Sequence, residues 1–273
     1  MKWRFLNSGK CDPAENMAID EAIFNGVIKG TSLPTIRFYG WNPPSVSCGY
    51  NQELEKEVDL DAVAKCGFGF VRRQTGGRTV LHNEEITYSV IAPIAECLKG
   101  NIIDSYSEIS RALAEGLKIL GIDVEFEKGS LSSHHQRTAT NPCFSSSSRF
   151  ELNYHNKKIV GSAQVRSNNV LLQHGSILLH FNQSKIADVL PGLSNEQKAR
   201  IKEYFNKKTI AINQILPSPV DEDRAISALK SGFKKTWNND KFIFYENIEP
   251  FEKENADYLV ETKYLTEVWN KRK

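Results

Sequence analysis

The chain has 273 residues, enough for one large domain or two small ones, and either can bury a full core without disulfides or a structural metal. A formal net charge of +2, with one quarter of residues charged, removes any electrostatic demand for nucleic acid; five scattered cysteines (Cys11, Cys48, Cys66, Cys97, Cys143) without a C-x-x-C pair argue against a disulfide framework or zinc ribbon and for a reducing compartment. No run of about 18 apolar residues occurs, and charges and a proline interrupt MKWRFLNSGKCDPAEN where a secretory signal needs an apolar core, so a cytoplasmic protein with no membrane partner is expected.

The first clear element is a helix from Asp12, with Asp12 as cap, Pro13 in the first turn and Glu15 placed for a capping box. Ala18, Ile19, Ala22, Ile23 and Val27 follow at helical spacing. Strand-like TIRFYGW (35–41), a Pro-Pro turn and VSCGY (46–50) come next. A second helix is predicted from about Ser105 to Leu120, with Ile109, Leu113, Leu117 and Leu120 on one stripe and Gly121 ending it. After the strand candidate IDVEF, LSSHHQRTATNPCFSSSS has no periodicity and reads as a long surface loop. RFELNYHN, KKIVGSAQVR and NNVLLQHGSILLHF then read as successive strands, with Asn168-Asn169 at a hairpin tip. Beyond Phe181 the chain reads as helical and polar: Ile226, Leu229, Phe233 and Trp237 share one face, and a last helix spans roughly Ala256 to Lys271. Strands grouped between helices, without β-α alternation, indicate an α+β fold with a mainly antiparallel or mixed sheet.

Several motifs bear on chemistry. In RRQTGGRTVLHNEEITYSV (72–90), Gly76-Gly77 permits a tight turn that could bring a ligand close to backbone N–H groups, and Arg72, Arg73 and Arg78 surround it with positive charge. An ordinary hairpin explains the same pattern, and neither phosphate-loop signature is present. Gly161-Ser162-Ala163 and Gly175-Ser176 interrupt strand-like sequence, which marks either bulges or a groove where an extended aliphatic chain could lie. Of the histidines, His134 and His135 read as exposed and lack zinc spacing, so no metal site is expected. His82, His174 and His180 follow apolar runs and read as strand-end or partly buried, with His82 the one expected to face a pocket. Cys143 and Lys158 together have the parts of a covalent acyl-transfer site, a thiol and a cation that could lower its pKa or stabilise an oxyanion. Spacing alone leaves open an unrelated loop cysteine and surface lysine.

NMAIDEAIF, RRQTGGRTVLH with ITYSV after it, NPCFSSSSRFEL, KIVGSAQVR and LLQHGSILL occur in an order that resembles the lipoate/biotin protein ligase and octanoyltransferase superfamily, and within it the LipM-type octanoyltransferases. The likeness is specific over Met1 to Phe181 and looser beyond. It implies an α+β fold of the class II aminoacyl-tRNA synthetase and biotin synthetase type, a central sheet flanked by helices, as a single catalytic domain over 1–273 with a helical C-terminal extension from about 182. It also implies Cys143 as acyl acceptor and Lys158 as its partner, with Arg73, Gly76, Gly77, His82, Gly161, Ser162, Ala163 and Gly175 binding substrate. One departure stands out: Ser145 to Ser148, Arg149 and Phe150 replace the acidic residue and Pro-Ser usual in such relatives.

The implied reaction takes octanoate from octanoyl-acyl carrier protein, holds it as a Cys143 thioester and delivers it to a lysine of a lipoyl domain, on glycine cleavage H protein or a 2-oxoacid dehydrogenase component. No ATP, metal or other cofactor is expected. The same motifs resemble those of ATP-dependent lipoate–protein ligases and, less closely, of lipoyl-domain octanoyl amidotransferases. A non-catalytic acyl-binding module would need neither Cys143 nor Lys158.

Overall fold

The computed structural model describes residues 1–126, 151–181 and 183–272. In chain order the elements are β1 (Lys2–Cys11), α1 (Pro13–Lys29), β2 (Thr35–Trp41), β3 (Ser45–Cys48), α2 (Leu54–Glu57), α3 (Leu60–Lys65), β4 (Gly69–Arg72), β5 (Val80–His82), β6 (Glu85–Pro93) and α4 (Ile102–Ile119). They continue with β7 (Glu125–Phe126), β8 (Leu152–Tyr154), β9 (Lys157–Ser167), β10 (Val170–Leu178), α5 (Asn195–Lys208), α6 (Ile212–Ile215), α7 (Glu222–Thr236), β11 (Lys241–Tyr245), α8 (Pro250–Leu259) and α9 (Glu267–Asn270). Among the described residues, no helix is long and apolar enough to cross a membrane.

The strands form a mixed sheet in the order β11-β1-β2-β6-β10-β9-β8-β7 and a three-stranded sheet, β4-β3-β5. β1 pairs in parallel with β11 and β2, and the ladders from β2 onward are antiparallel, giving the α+β architecture with helices on both faces. Period-2 alternation sorts the side chains. Phe5, Phe38, Tyr88, Val90 and Leu171 pack towards α4 and α7, while Leu6, Tyr39, Trp41, Ile91 and Leu172 pack towards α1 and α8. Val46, Leu81, Leu178 and Phe205 build a third core beside the small sheet.

Asp12 caps α1 with one bond, its Oδ1 accepting from Ala14 N–H at 2.9 Å, instead of the reciprocal box expected with Glu15. α4 begins earlier than the apolar stripe suggested because Asn101 and Asp104 form a capping box, which places Ile102 and Ile103 in an exposed first turn. Asn168 and Asn169 both have positive φ (49° and 59°), the conformation of a two-residue hairpin tip.

Two expectations need correction. The segment beyond residue 182 is not only helical: KFIFY forms β11 and extends the main sheet beside β1, with Phe242 stacked on Phe5 at 5.0 Å. The single helix expected from Ala256 to Lys271 is instead α8, a π-helical turn at Val260–Tyr264 and α9.

Candidate active site

A cavity of about 360 Å³, counting its open mouth, lies where the small sheet meets β6, β10 and β9. Met17, Tyr39, Trp41 and Val80 give it apolar walls, and Gly161, Ala163 and Gly175 leave room along the strands. The strands are not bulged at these glycines, contrary to one reading of the sequence: β10 and β9 pair without interruption from Val170↔Ser167 to Ile177↔Val160. The absence of side chains there serves close approach. A Cβ on Gly175 would lie 2.6 Å from Ser162 Oγ and 2.9 Å from Tyr88 Cε1.

His82 faces this cavity, as its sequence position suggested. Its ring stacks on Trp41 with centroids 4.1 Å apart. Nδ1 lies 2.7 Å from Glu85 Oε1, and Nε2 lies 2.7 Å from Ser47 Oγ. Thr87 and Ser176 hydroxyls also donate to Glu85 Oε1, at 2.6 and 2.7 Å. Neither Ser47 nor Glu85 stood out in the sequence, because they meet His82 from separate strands and no local spacing links the three.

His174 is also on the cavity wall, and it is buried in the middle of β10 rather than near a strand end. Its Nε2 lies 2.6 Å from Thr75 Oγ1. On the far side, Nδ1 is 3.5 Å from Asp20 Oδ2, an electrostatic approach rather than a hydrogen bond. Burial pushes the His174 pKa below its ordinary value against the pull of Asp20. Asp20 is held by Arg37 Nη1 at 2.8 Å, Ser89 Oγ at 2.8 Å and Tyr39 Oη at 3.0 Å. Burial raises its carboxyl pKa, but Arg37 and His174 outweigh that and keep it below the usual value. Burial, followed by the Asp20 charge, pushes the Tyr39 phenol well above its ordinary pKa.

The Gly76-Gly77 turn closes the cavity's flank without being part of its lining. Gly77 has φ 92°, and a Cβ on Gly49 would fall 2.2 Å from the Gly77 carbonyl, so the two loops meet through bare backbone. Arg73 lines the cavity and stitches the turn, its Nη2 donating to the carbonyls of Gly76 at 2.9 Å and Arg78 at 2.7 Å. Arg72 points elsewhere. Its Nη1 donates to the carbonyls of Gly49 (2.8 Å) and Gln52 (2.9 Å), while its backbone is held from α9: Trp269 Nε1 donates to its carbonyl at 2.7 Å and Asn270 Oδ1 accepts its N–H at 2.8 Å.

Ser162 shares a 2.7 Å hydrogen bond with Tyr88, whose phenol burial pushes up to about 12. Lys158 is buried at the start of β9, is not part of the cavity lining, and pairs with Glu151 at 2.8 Å. The structure thus brings Arg73, His82, Gly161, Ser162, Ala163 and Gly175 to one cavity, with Gly76, Gly77 and Lys158 not among its lining residues. Cys143, His134 and His135 lie outside the described residues. Among the described residues, no group of three or more His, Cys, Asp or Glu side chains is arranged to hold a metal ion.

The lipoyl protein ligase A/B catalytic-domain model matches residues 12–234. The chain is 40% identical to octanoyltransferase LipM of Anoxybacillus flavithermus, over 98% of this chain and 97% of that protein. It is 39% identical to octanoyltransferase LipM of Bacillus subtilis, with the same two coverages, 98% and 97%. Among solved structures it resembles a bi-partite lipoate protein ligase from Thermoplasma acidophilum, with TM-score 0.82 and 26% identity over 99% of this chain and 96% of that one. A lipoate-protein ligase A bound with ATP matches with TM-score 0.78 and 27% identity over 99% of both chains.

Proposed function

The chain belongs to the lipoyl protein ligase A/B catalytic-domain family, and from that premise we propose that it is an acyltransferase moving octanoate from acyl carrier protein to a lipoyl-domain lysine. Its near full-length likeness to named octanoyltransferases is the observation that carries this reading. The cavity supports it chemically. Apolar walls suit an alkyl chain, and every CH₂ taken from water contributes roughly 0.8 kcal/mol, so the depth of the cavity would select chain length.

In the proposed reaction, the Cys143 thiolate attacks the thioester carbonyl of octanoyl-acyl carrier protein. The bond to the carrier's sulfur breaks, the carrier leaves as a thiol after taking a proton, and the acyl group rests on Cys143. The lysine amine of the lipoyl domain, on glycine cleavage H protein or a 2-oxoacid dehydrogenase component, then attacks this thioester. The C–S bond breaks as the amide forms, and the amine's proton passes to the departing sulfur, regenerating the Cys143 thiol. Arg73, His82, Gly161, Ser162, Ala163 and Gly175 hold the chain, and Gly76-Gly77 keeps the flanking turn tight. Lys158 acts on the thiol or on the developing oxyanion. Thioester exchange is nearly isoenergetic and amide formation drives the sequence, so neither ATP nor a metal takes part.

Intact-protein mass after incubation with octanoyl-acyl carrier protein, without nucleotide, tests this reading. An octanoyl adduct that is absent in Cys143→Ala and that chases onto a lipoyl domain is the expected result. The likeness to a ligase solved with ATP favours one competitor, an ATP-dependent lipoate–protein ligase. Strict dependence on ATP with free octanoate or lipoate, and no use of the carrier-bound donor, would establish that activity instead. Use of an octanoylated lipoyl domain as the sole donor would indicate an amidotransferase.

A further inference from the structure

Ser47, His82 and Glu85 come together from β3, β5 and β6, and for a neutral His82 ring their remaining partners set the direction of each proton. An indole N–H can only donate. Trp41 Nε1 donates to Thr87 Oγ1 at 2.7 Å, so Thr87 turns its own proton to Glu85 Oε1 at 2.6 Å. With Oε1 accepting from Thr87 and Ser176, the proton of neutral His82 belongs on Nδ1, facing the same oxygen at 2.7 Å. Nε2 is left as an acceptor. Guanidinium groups also only donate, and Arg73 Nη1 donates to Ser47 Oγ at 3.0 Å. The Ser47 proton therefore points at His82 Nε2, 2.7 Å away. Hydroxyl, imidazole and carboxylate stand in the order that activates a serine nucleophile, and such a trio is recognised by geometry and roles rather than by sequence position. Ser47 and His82 both face the cavity, and Arg73 sets a positive charge beside the serine oxygen.

We propose that Ser47, His82 and Glu85 form a second acyl-transfer centre, one that hydrolyses medium-chain acyl thioesters through a Ser47 ester. This rests on reading the cavity as the acyl site, and it does not involve Cys143. Ser47 Oγ attacks the thioester carbonyl carbon and its proton passes to His82 Nε2. The C–S bond then breaks, and the leaving thiol takes that proton. Water attacks the Ser47 ester by the same route, releasing the fatty acid and restoring the hydroxyl. The sum is thioester plus water giving acid plus thiol. Glu85 is a positioning residue, holding His82 with its proton on Nδ1.

The test uses the Cys143→Ala chain with two probes, p-nitrophenyl octanoate and octanoyl-pantetheine. Turnover beyond one equivalent is expected, together with a quenched octanoyl adduct that peptide mapping places on Ser47. Ser47→Ala and His82→Asn should each lower turnover on the order of 100-fold or more. Peptide mapping reads the result even if Ser47→Ala fails to fold. Glu85→Gln should lower turnover and also move the His82 proton off Nδ1 in ¹H–¹⁵N spectra, which simple loosening of the wall would not do. An inert Cys143→Ala chain, or an adduct mapped to any other residue, overturns the proposal. If the parent carries octanoate on Cys143 while Cys143→Ala is inert, the transferase reading stands and this one falls. If neither chain takes up octanoate, both fall.

Discussion

Gly175 and Gly161 approach each other across the β9–β10 ladder so closely that a methyl group on Gly175 would lie 2.5 Å from the Gly161 carbonyl oxygen. The neighbours that would have to yield include backbone and the buried Tyr88 ring, neither of which moves cheaply. Gly175→Ala should therefore destabilise the fold by about 1–3 kcal/mol, the usual cost of overpacking. It should also narrow the cavity, so that octanoyl transfer falls more steeply than transfer of a shorter acyl group. Urea unfolding and a chain-length series check the two effects separately. Equal loss across the series would mean that Gly175 matters only for folding.

Asp20 and Arg37 form a buried ion pair at 2.8 Å, with both side chains almost fully excluded from solvent. Removing one partner leaves a buried charge uncompensated, which typically costs about 3–5 kcal/mol. Asp20→Ala also strips the His174 ring of its nearest carboxylate and Tyr39 of its acceptor. The expected outcome is a loss of stability in that range, measured by chemical denaturation, accompanied by a weakened wall of the cavity.

Buried groups make stability depend on pH in a definite direction. His174 has a folded pKa below its unfolded value, so in the window below about 6.5 the unfolded chain binds a proton that the folded chain refuses. Stability then falls with acidification by up to about 1.4 kcal/mol per pH unit from this group. His174→Gln should remove that slope. Asp20 acts at lower pH: its depressed carboxyl contributes stability above the ordinary carboxylate range, and that contribution is lost as pH falls through the folded value. Denaturation curves for parent and His174→Gln between about pH 8 and pH 4 isolate the His174 window, because the Asp20 window lies below it. Parallel curves throughout would contradict the assignment to His174.

The tail reaches the site from far along the chain. Trp269 and Asn270 both bind the backbone of Arg72, whose neighbour Arg73 lines the cavity. Replacing both tail residues with alanine removes the two hydrogen bonds to Arg72, a third from Asn270 Nδ2 to the Tyr264 carbonyl at 2.6 Å, and the packing of Trp269 on Tyr50, whose ring centroids lie 5.7 Å apart. Each bond contributes about 0.5–1.5 kcal/mol. Global stability should fall by a few kcal/mol at most, whereas octanoyl transfer should fall further because the backbone of Arg72, next to Arg73, is no longer held. Unchanged transfer would separate the tail from the site.

What could be read from the sequence followed local rules. The Asn168-Asn169 hairpin, the Asp12 cap and the apolar face of α7 were legible because each is specified within a few residues. β1 was not, because a strand inside the sheet is buried on both faces and lacks clean alternation; Trp3, Phe5 and Leu6 all lie in cores. Asp20 did not stand out in α1, because its partner Arg37 comes from β2 and no local pattern joins them. The same limit applies at the cavity: His82 was legible at the end of an apolar run, but Ser47 and Glu85 become its partners only when β3, β5 and β6 meet.

Lys158 is buried and paired with Glu151 at 2.8 Å, a contact that sets the signs of the final prediction. If the Lys158 ammonium acts on the Cys143 thiol, it lowers the thiol pKa from an ordinary value of about 8.5. Lys158→Ala should then raise that pKa, as read by pH-dependent alkylation, and abolish transfer. Lys158→Arg keeps the charge but changes its shape and proton chemistry, so transfer should be lost with a smaller change in thiol pKa. Glu151→Gln removes the negative charge that partly cancels the lysine, so it should lower the thiol pKa further. It should also destabilise the fold, since a buried cation loses the carboxylate charge it is paired with. If alkylation is unchanged in Lys158→Ala while transfer is lost, the lysine works on the substrate oxyanion instead. If transfer survives as well, Lys158 has no part in the chemistry and its pairing with Glu151 is purely structural.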